Sequence, residues 1–286
     1  MRILMTGSSG PKTGATVAAI LAQSHEVCGF DLVPGPNTRY VGDITAIRDW
    51  RPYFAGVDAV VHFAALHAPH RETHSRDAFY ALNVQATERL LDAAREAGVR
   101  RFLLASSTSV YGRAMRTAKD TGRAAWVAET LDPEPEDIYD ETKLTAEALC
   151  RAAYSESFKT TALRFSRCFP EPLPLMTVYR LHRGIDARDV GQAFELALRR
   201  PSESFEVFNV SGATPFHEGD CEMLWRDAAQ VLKTRVPELV SAFERRGWEL
   251  PTKIDRVYVP EKAMSVLGFS PQFGWRDLLS ASETKT

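Results

Sequence analysis

LMTGSSGPKTGATV, residues 4–17, is a glycine-rich turn, and the organisation of the 286-residue chain can be worked out from it. The turn lies between an apolar segment at residues 2–5, which is typical of a buried strand, and an apolar helix predicted over residues 14–23. Free backbone N–H groups and the helix dipole point into such a turn, so it suits an anion. A nucleoside triphosphate loop is disfavoured, because that motif ends in Gly-Lys and here Pro11 precedes Lys12.

A second strand, predicted over residues 25–31, ends in Asp31. An acidic side chain at the end of this strand accepts hydrogen bonds from both ribose hydroxyls of an adenosine and repels a 2′-phosphate. The strand, the turn, the helix, the second strand and the acid together indicate a dinucleotide site. They favour NAD, and Asp31 disfavours NADP.

The rest of the chain alternates between strands and helices. Strands are predicted over residues 56–65, 100–112, 159–169 and 205–212, and helices over residues 81–98, 139–156 and 186–200. This alternation predicts an α/β fold of the Rossmann type, a doubly wound parallel sheet that binds ligands beyond the carboxyl ends of its strands. We expect a nucleotide-binding domain over residues 1–165. A small C-terminal substrate lobe over residues 166–286 would be interleaved with the last sheet elements.

Composition and charge exclude several classes of function. The formal net charge of -2 provides no field to attract nucleic acid or an acidic membrane. The longest apolar runs are too short to cross a bilayer, and residues 1–5 leave no room for a signal peptide before the turn. The four cysteines show no paired spacing, which is typical of reduced thiols. We therefore expect a cytoplasmic protein that binds neither nucleic acid nor a membrane.

The pentapeptide YDETK places Tyr139 and Lys143 four residues apart on a predicted helix, so both side chains lie on one face. A phenol has a pKa of about 10, and a nearby ammonium lowers it by favouring the phenolate. The preceding strand ends in hydroxyl residues at 106–109, where a bound carbonyl or alcohol would be hydrogen-bonded. The alternatives are that the pair decorates the surface and that the hydroxyl residues form an ordinary polar turn.

As an ordered set, these motifs resemble those of the extended short-chain dehydrogenase/reductases, the NAD-dependent epimerase/dehydratase group. The resemblance covers residues 1–212 well and residues 261–275 more loosely. The motifs that carry it are TGSSG (6–10), Asp31, GDI (42–44), HFAA (62–65), NV (83–84), SSTSVYG (106–112), YDETK (139–143) and LRF (163–165).

The resemblance implies a role for individual residues. Tyr139 would be the general acid/base, and Lys143 would lower its pKa and hold the nicotinamide ribose. Ser107 would orient the substrate, with Thr108 as the alternative hydroxyl. The implied cofactor-binding residues are Gly7, Ser9, Gly10, Asp31, Asp43, Ile44, Ala64, Ala65 and Asn83, together with Tyr139 and Lys143.

Thr13 departs from the family pattern, because it stands where the third glycine of the turn is expected. A side chain at this position would crowd the helix against the strand or the pyrophosphate. Gly14 beside it would relieve part of the strain. We expect weaker cofactor binding and an unchanged fold.

Residues 164–189 are short for a nucleotide-sugar site and resemble the same segment of uronate dehydrogenases. Cys168–Pro172 and the Tyr179–Arg180 pair carry that likeness. It implies an arginine that clamps a sugar carboxylate, for which the planar guanidinium is suited. Arg167, Arg180, His67 and Thr108 are the predicted substrate-binding residues; the alternative is that both arginines are solvated.

Residues 213–260 are predicted to be a helical extension that either covers the pocket or contacts a second copy in a homodimer. The histidines of residues 62–74 are interpreted as loop residues near the nicotinamide or the substrate, because no further ligand set for a metal is present. The leading hypothesis is an oxidoreductase that transfers hydride from a sugar or sugar acid to NAD. A nucleotide-sugar epimerase or dehydratase with tightly bound NAD is the alternative, and a cofactor-sensing protein without activity is a third.

Overall fold

The computed structural model describes residues 1–200 and 202–283, and the main sheet within them has seven parallel strands. The strands are β1 (Arg2–Thr6), β2 (Glu26–Asp31), β3 (Thr38–Val41), β4 (Ala59–His62), β5 (Arg101–Ser107), β6 (Ala125–Val127), β7 (Lys159–Phe165), β8 (Glu206–Val210) and β9 (Arg256–Tyr258). Their order in the main sheet is β3-β2-β1-β4-β5-β7-β8, while β6 and β9 form a separate parallel pair.

The α-helices are α1 (Gly14–Leu21), α2 (Arg76–Tyr80), α3 (Ala86–Glu96), α4 (Ala118–Thr121), α5 (Ile138–Ala153), α6 (Leu173–Tyr179), α7 (Ala187–Arg199), α8 (Cys221–Arg226), α9 (Ala228–Arg235), α10 (Pro237–Arg246) and α11 (Trp275–Glu283). Shorter 3₁₀ and π segments are Arg51–Tyr53, Ala68–Glu72, Ala81–Gln85, Thr108–Tyr111, Arg113–Met115, Glu218–Asp220 and Ala263–Leu267. In the part of the chain that the structure describes, no helix is both long and apolar enough to cross a membrane.

The sheet is wound in two directions from β1, which pairs with β2 on one side and with β4 on the other. Ile3 and Met5 pack into the core under α1 and α7, and Leu4 packs into the opposite core under α3 and α5. Because the strand order reverses between β1 and β4, a crevice opens at their carboxyl ends. The predicted Rossmann-type fold is confirmed.

A second, smaller core lies beside the sheet and is built largely from the helical extension. Apolar residues of α8, α9 and α10 pack there against Val178, Leu181 and Ala124. The pairing of β6 with β9 closes this lobe. Because segments on both sides of residue 165 contribute to the lobe, the chain passes between the two cores more than once. The domain boundary itself stays a prediction.

Three strands were not predicted from the sequence: β3, β6 and β9. The first is an edge strand whose side chains are partly exposed, and the other two have only three residues each. Short strands of this kind carry too little hydrophobic periodicity to be detected. The predicted strand over residues 100–112 ends at Ser107, where a 3₁₀ helix begins.

Candidate functional site

The glycine turn connects β1 to α1 at the carboxyl edge of the sheet, and Gly7 meets two neighbouring strands there. Its φ is +73°, and a Cβ on it would lie 2.7 Å from the backbone nitrogen of Ala64. The Gly7 N–H donates to the Phe30 carbonyl at 2.8 Å, and its carbonyl accepts from the Gly10 N–H at 3.3 Å. The turn is thereby held against the ends of β2 and β4, in a conformation that favours glycine.

The close contact between helix and turn is made at Gly14 and not at Thr13. A Cβ on Gly14 would lie 2.0 Å from the Gly7 carbonyl oxygen, so no side chain fits there. Thr13 is half-buried, and its hydroxyl hydrogen-bonds the Cys168 thiol. The close-packed glycine of this chain therefore stands one position after Thr13, and the effect of Thr13 on cofactor binding stays a prediction.

The first turn of α1 is suited to meet an anion. It contains no acidic side chain, and Thr13 makes no side-chain capping hydrogen bond. The positive end of the helix dipole is therefore not neutralised by the helix's own residues. Together with Gly7 and Gly10, this end of α1 fits the diphosphate of a dinucleotide.

Asp31 and Ser9 lie on the side of the turn predicted to receive the adenosine. Asp31 Oδ2 accepts from the Ser9 N–H at 2.8 Å, and Oδ1 accepts from the Val33 N–H at 3.2 Å. The Ser9 hydroxyl lies 2.6 Å from Thr38 Oγ1 on β3. These bonds hold the Asp31 carboxylate at the carboxyl end of β2, where an acid that binds the adenosine ribose is predicted.

Asp43 and Ile44 follow β3 and differ in burial. Asp43 is exposed, whereas Ile44 is packed in the core, so only its main chain is available to a ligand. The exposed apolar side chains that follow Asp31 are Leu32 and Val33, at 65% and 52% exposure. Leu32 and Val33 were not among the predicted site residues, because only their exposure in the folded chain distinguishes them from core residues.

The loop after β4 contains Ala64 and Ala65, which are both half-buried. Asn83 connects this loop to helix α5. The Asn83 side chain is 2% exposed; its Oδ1 accepts from the Leu66 N–H at 2.8 Å. Its Nδ2 donates to the Thr142 hydroxyl on α5 at 3.0 Å. Asn83 therefore joins the predicted nicotinamide loop to the helix that carries Tyr139 and Lys143.

His62 lies in a buried hydrogen-bonded chain that sequence reasoning missed. Its Nδ1 is 2.6 Å from Thr6 Oγ1, and its Nε2 is 2.8 Å from Thr87 Oγ1. The Thr87 hydroxyl in turn donates to the Asn83 carbonyl at 2.8 Å. Burial, aided by the charge of Lys143, lowers the pKa of His62 to about 3, so the ring is neutral.

The three predicted catalytic residues meet at the carboxyl edge of β5. Asp137 is the N-cap of α5, and its Oδ1 accepts from the Tyr139 N–H at 2.8 Å. The side chains of Tyr139 and Ser107 face each other, and Lys143 follows one turn later on α5, 4% exposed. Thr108 is 3% exposed at the start of the 3₁₀ helix, which makes it less accessible to a substrate than Ser107.

The pKa of Tyr139 is shifted in the direction opposite to the sequence expectation. Removal of its hydroxyl from water raises the pKa to about 12, against the lowering effect of the Ser107 hydrogen bond. Asp140 and Asp137 raise it further, and Lys143 is not among the groups that shift it. Burial lowers the pKa of Lys143 itself to about 8. The activation of Tyr139 by Lys143 stays a prediction.

A cavity of about 560 Å³ lies in front of the turn. Three cationic side chains line it, and Arg71 and Arg167 form ion pairs with Asp137 and Glu171. Lys12 lies over the Phe169 ring, 4.2 Å from its centroid. The residues lining the cavity are Lys12, Ala68, Pro69, Arg71, Glu72, Arg167 and Phe169.

Arg180 shares a second, smaller cavity with Arg167 and Tyr179. Arg180 is 8% exposed, and its Nη2 donates to Asp186 at 3.1 Å. Its buried Nε has no hydrogen-bond partner among the described residues. The two predicted substrate arginines are thus brought together, and Arg180 is not a solvated loop residue.

His67 lies at the edge of the site, with its ring 6.2 Å from that of Phe169. The His70 ring is tilted against it with 4.4 Å between the centroids, and the His74 ring lies edge-on to that of His70 at 5.4 Å. Burial lowers the pKa of His67 to about 4, and His70, Lys12 and Lys143 add to that shift. Within residues 1–200 and 202–283, no group of three or more metal-ligating side chains is placed to hold an ion.

The sequence model of the NAD dependent epimerase/dehydratase family matches residues 3–171, more than half of the chain. That range contains the turn, Asp31 and the residues Ser107, Tyr139 and Lys143. The chain belongs to this family. The predicted family is thereby confirmed, whereas the enzymatic activity and the roles of single residues stay predictions.

The chain is similar to several curated proteins. It is 33% identical over 157 residues to a 3-beta-hydroxysteroid dehydrogenase of Mycolicibacterium neoaurum, covering 51% of this chain and 41% of that one. It is 30% identical over 203 residues to an uncharacterized UDP-glucose epimerase of Bacillus subtilis, covering 63% and 61%. The chain thus spans about half the length of the curated relatives it matches.

A solved structure provides the likeness over the whole fold. A short-chain dehydrogenase/reductase superfamily protein from Agrobacterium tumefaciens with bound NAD superposes with a TM-score of 0.71 at 26% identity. The superposition covers 99% of this chain and 96% of that one. The lobe and the sheet both take part in it.

Proposed function

We propose that this protein oxidises a hydroxyl-bearing carbon of a sugar or sugar acid, with NAD as the hydride acceptor. The observation that carries the proposal is that Ser107, at the carboxyl end of β5, faces Tyr139 on α5, with Lys143 buried one turn further along that helix. The family is NAD dependent. Ligands of a doubly wound sheet bind beyond the carboxyl ends of its strands, where Ser107 and the glycine turn both lie.

The residues of this chain fit NAD. The uncapped end of α1 and the close backbone approach at Gly7 suit a diphosphate, and Asp31 suits the adenosine ribose. Lys143 and Asn83 would hold the nicotinamide end. When bound, NAD supplies the ring that accepts a hydride.

The side chains of this chain orient the alcohol and move its proton. Ser107 would donate a hydrogen bond to the substrate oxygen, and Tyr139 would take the hydroxyl proton onto its phenolate oxygen. Since the pKa of Tyr139 is raised to about 12, the phenol is protonated at neutral pH. We therefore expect oxidation to accelerate as the pH rises, and the reverse reduction, which needs the phenol as an acid, to be favoured at lower pH.

Charge in the cavity supports a polar substrate over a sterol. Lys12, Arg71, Glu72 and Arg167 line it, and an apolar ring system would leave these groups desolvated and poorly matched. The unpartnered Nε of Arg180 supports an anionic substituent nearby, because a carboxylate would supply the missing acceptor.

A substrate panel tests the proposal. Free uronates, neutral aldoses, UDP-sugars and a 3β-hydroxysterol are incubated with NAD or NADP, and the absorbance of reduced nicotinamide is followed. Net NADH formation with a uronate or aldose supports the proposal. Inversion of a UDP-sugar, with NAD co-purifying and no net NADH, would replace it with the epimerase alternative; oxidation of the sterol alone would overturn the substrate class.

Asp31→Asn should weaken NAD binding about tenfold and reduce the preference for NAD over NADP. The variant keeps the side-chain shape, but it removes the charge that repels a 2′-phosphate and one acceptor for the ribose hydroxyls. Calorimetric titration with both cofactors measures the change. Asp120→Asn, at an exposed position on α4, is the matched control and should bind as wild type. An unchanged cofactor preference would contradict the assignment of Asp31.

The homodimer and the cytoplasmic location belong to the same proposal as expectations from the sequence. Sedimentation equilibrium of the purified chain measures the oligomeric state. A monomer at micromolar concentration would contradict the dimer.

A further inference from the structure

A buried carboxylate that the proposed function does not use lies next to the catalytic helix residues. Glu147 is 4% exposed on α5, one turn after Lys143, and Arg164 on β7 is 5% exposed. Arg164 Nε donates to Glu147 Oε1 at 2.9 Å, and Nη2 donates to Oε2 at 2.7 Å. The Ser106 hydroxyl donates to the same Oε1. One carboxylate thus accepts three hydrogen bonds inside the protein.

These bonds tie together the elements that carry the catalytic residues. Ser106 directly precedes Ser107 at the end of β5, and Glu147 shares a helix with Tyr139 and Lys143. Within the network, displacement of Glu147 would move the end of β5 relative to α5. A shift of about 1 Å between catalytic groups is enough to cost a large factor in rate.

A second chain of contacts anchors Arg164 from the other side. Its guanidinium lies over the Tyr111 ring, 4.8 Å from the centroid. The Tyr111 hydroxyl donates to Asn209 Oδ1 on β8 at 2.8 Å. The ion pair therefore has a defined geometry on both faces, which a buried pair needs in order to offset its desolvation.

The charge of Glu147 also acts on Lys143. Burial lowers the pKa of Lys143, and Glu147 is the largest influence that raises it again. His62 on β4 and His67 in the following loop also face this ammonium, and Cys150 lies on the same helix. Of these neighbours, only Glu147 carries a full negative charge at neutral pH.

We propose that Glu147 is a positioning residue for the Ser107–Tyr139–Lys143 site: through Arg164 and Ser106 it fixes α5 against β5 and β7, and it is the counter-charge of Lys143. The proposal rests on the proposed function, in which Lys143 holds the nicotinamide ribose. It does not require Glu147 to touch either ligand.

The test removes the ion pair as a unit. Glu147→Gln alone leaves Arg164 as an unpaired buried charge and would unfold part of the protein. The double variant Glu147→Gln/Arg164→Gln removes both charges; it keeps the size of the first side chain and shortens the second. The lobe offers a matched control in the two-bond pair of Asp220 and Arg235, with both distances 2.9 Å. Asp220→Asn/Arg235→Gln removes that pair in the same way.

Two readouts separate positioning from a merely structural role. ¹⁵N NMR titration of the Lys143 side chain, in the protein without ligand, should show its pKa falling by about one unit in the Glu147/Arg164 variant and staying constant in the control. With a verified substrate, kcat should fall about tenfold or more while KM changes less than threefold.

The outcomes distinguish the role of Glu147 from the proposed function. A folded Glu147/Arg164 variant with an unchanged Lys143 titration and unchanged kcat would overturn the role of Glu147. A wild-type protein that turns over no member of the substrate panel would refute the proposed function instead, and the Lys143 titration would still decide whether Glu147 is its counter-charge.

Discussion

Replacing Tyr139 with phenylalanine will lower kcat with a verified substrate by about a thousandfold, within the range of general acid–base catalysis. The change removes the oxygen that accepts the substrate proton and leaves the ring in place. The contact with Ser107 is lost with it. Because the diphosphate and adenosine ends of NAD are assigned to the turn, α1 and Asp31, NAD affinity should fall much less than kcat. Steady-state kinetics and calorimetric titration with NAD measure the two quantities.

Tyr154 provides the matched control for this prediction. It directly follows α5, and its hydroxyl donates to the Ser202 carbonyl at 2.9 Å and accepts from Lys159 Nζ at 2.8 Å. Tyr154→Phe should cost stability through these lost bonds, about 1 kcal/mol, and leave turnover unchanged. If Tyr139→Phe retained more than a tenth of the wild-type kcat, the assignment of Tyr139 as the acid/base would be wrong.

Gly14→Ala will destabilise the fold by about 2 kcal/mol and weaken NAD binding at least tenfold. The new methyl group would lie 2.0 Å from the Gly7 carbonyl oxygen, so the backbone of the turn or of α1 has to move. A glycine-to-alanine change within an ordinary helix instead stabilises it by about 0.5–1 kcal/mol, so the sign of the effect is diagnostic. Urea unfolding and calorimetric titration with NAD measure the two effects.

Two further variants make this prediction specific. Gly219→Ala introduces a methyl group with nothing within 4 Å and should leave stability and NAD affinity close to wild type. Thr13→Gly, which would restore the family's glycine spacing, should bring no gain in affinity, because Gly14 already provides the close approach. A gain of tenfold with Thr13→Gly would reinstate Thr13 as the residue that weakens the site.

Local patterns in the sequence were sufficient to predict the doubly wound sheet and the placement of the catalytic trio. The strand, turn and helix around residues 4–17 are encoded by adjacent residues, and the spacing of Tyr139 and Lys143 follows from one helical turn. The end of the predicted strand indicated the hydroxyl residues at 106–109, and the resemblance of SSTSVYG to the family motif selected Ser107 among them. Each of these features depends on residues near each other in the chain.

Features that depend on contacts between distant segments were not predicted. The role of Gly14 was missed because it is set by the distance to the Gly7 carbonyl, which no glycine spacing reports. The ion pair of Glu147 and Arg164 joins a helix to a strand 17 residues away. Nothing in either local sequence marks those two side chains as partners.

The direction of the Tyr139 pKa shift also depends on tertiary contacts and not on local sequence. The sequence by itself determined that a phenol and an ammonium share one face of α5. Only the tertiary structure decided how far each is removed from water, since burial depends on the elements that pack against this helix, β5 and β7 among them. Desolvation raises the pKa of the phenol and lowers that of the ammonium, and it outweighs the pairwise effect expected from their spacing.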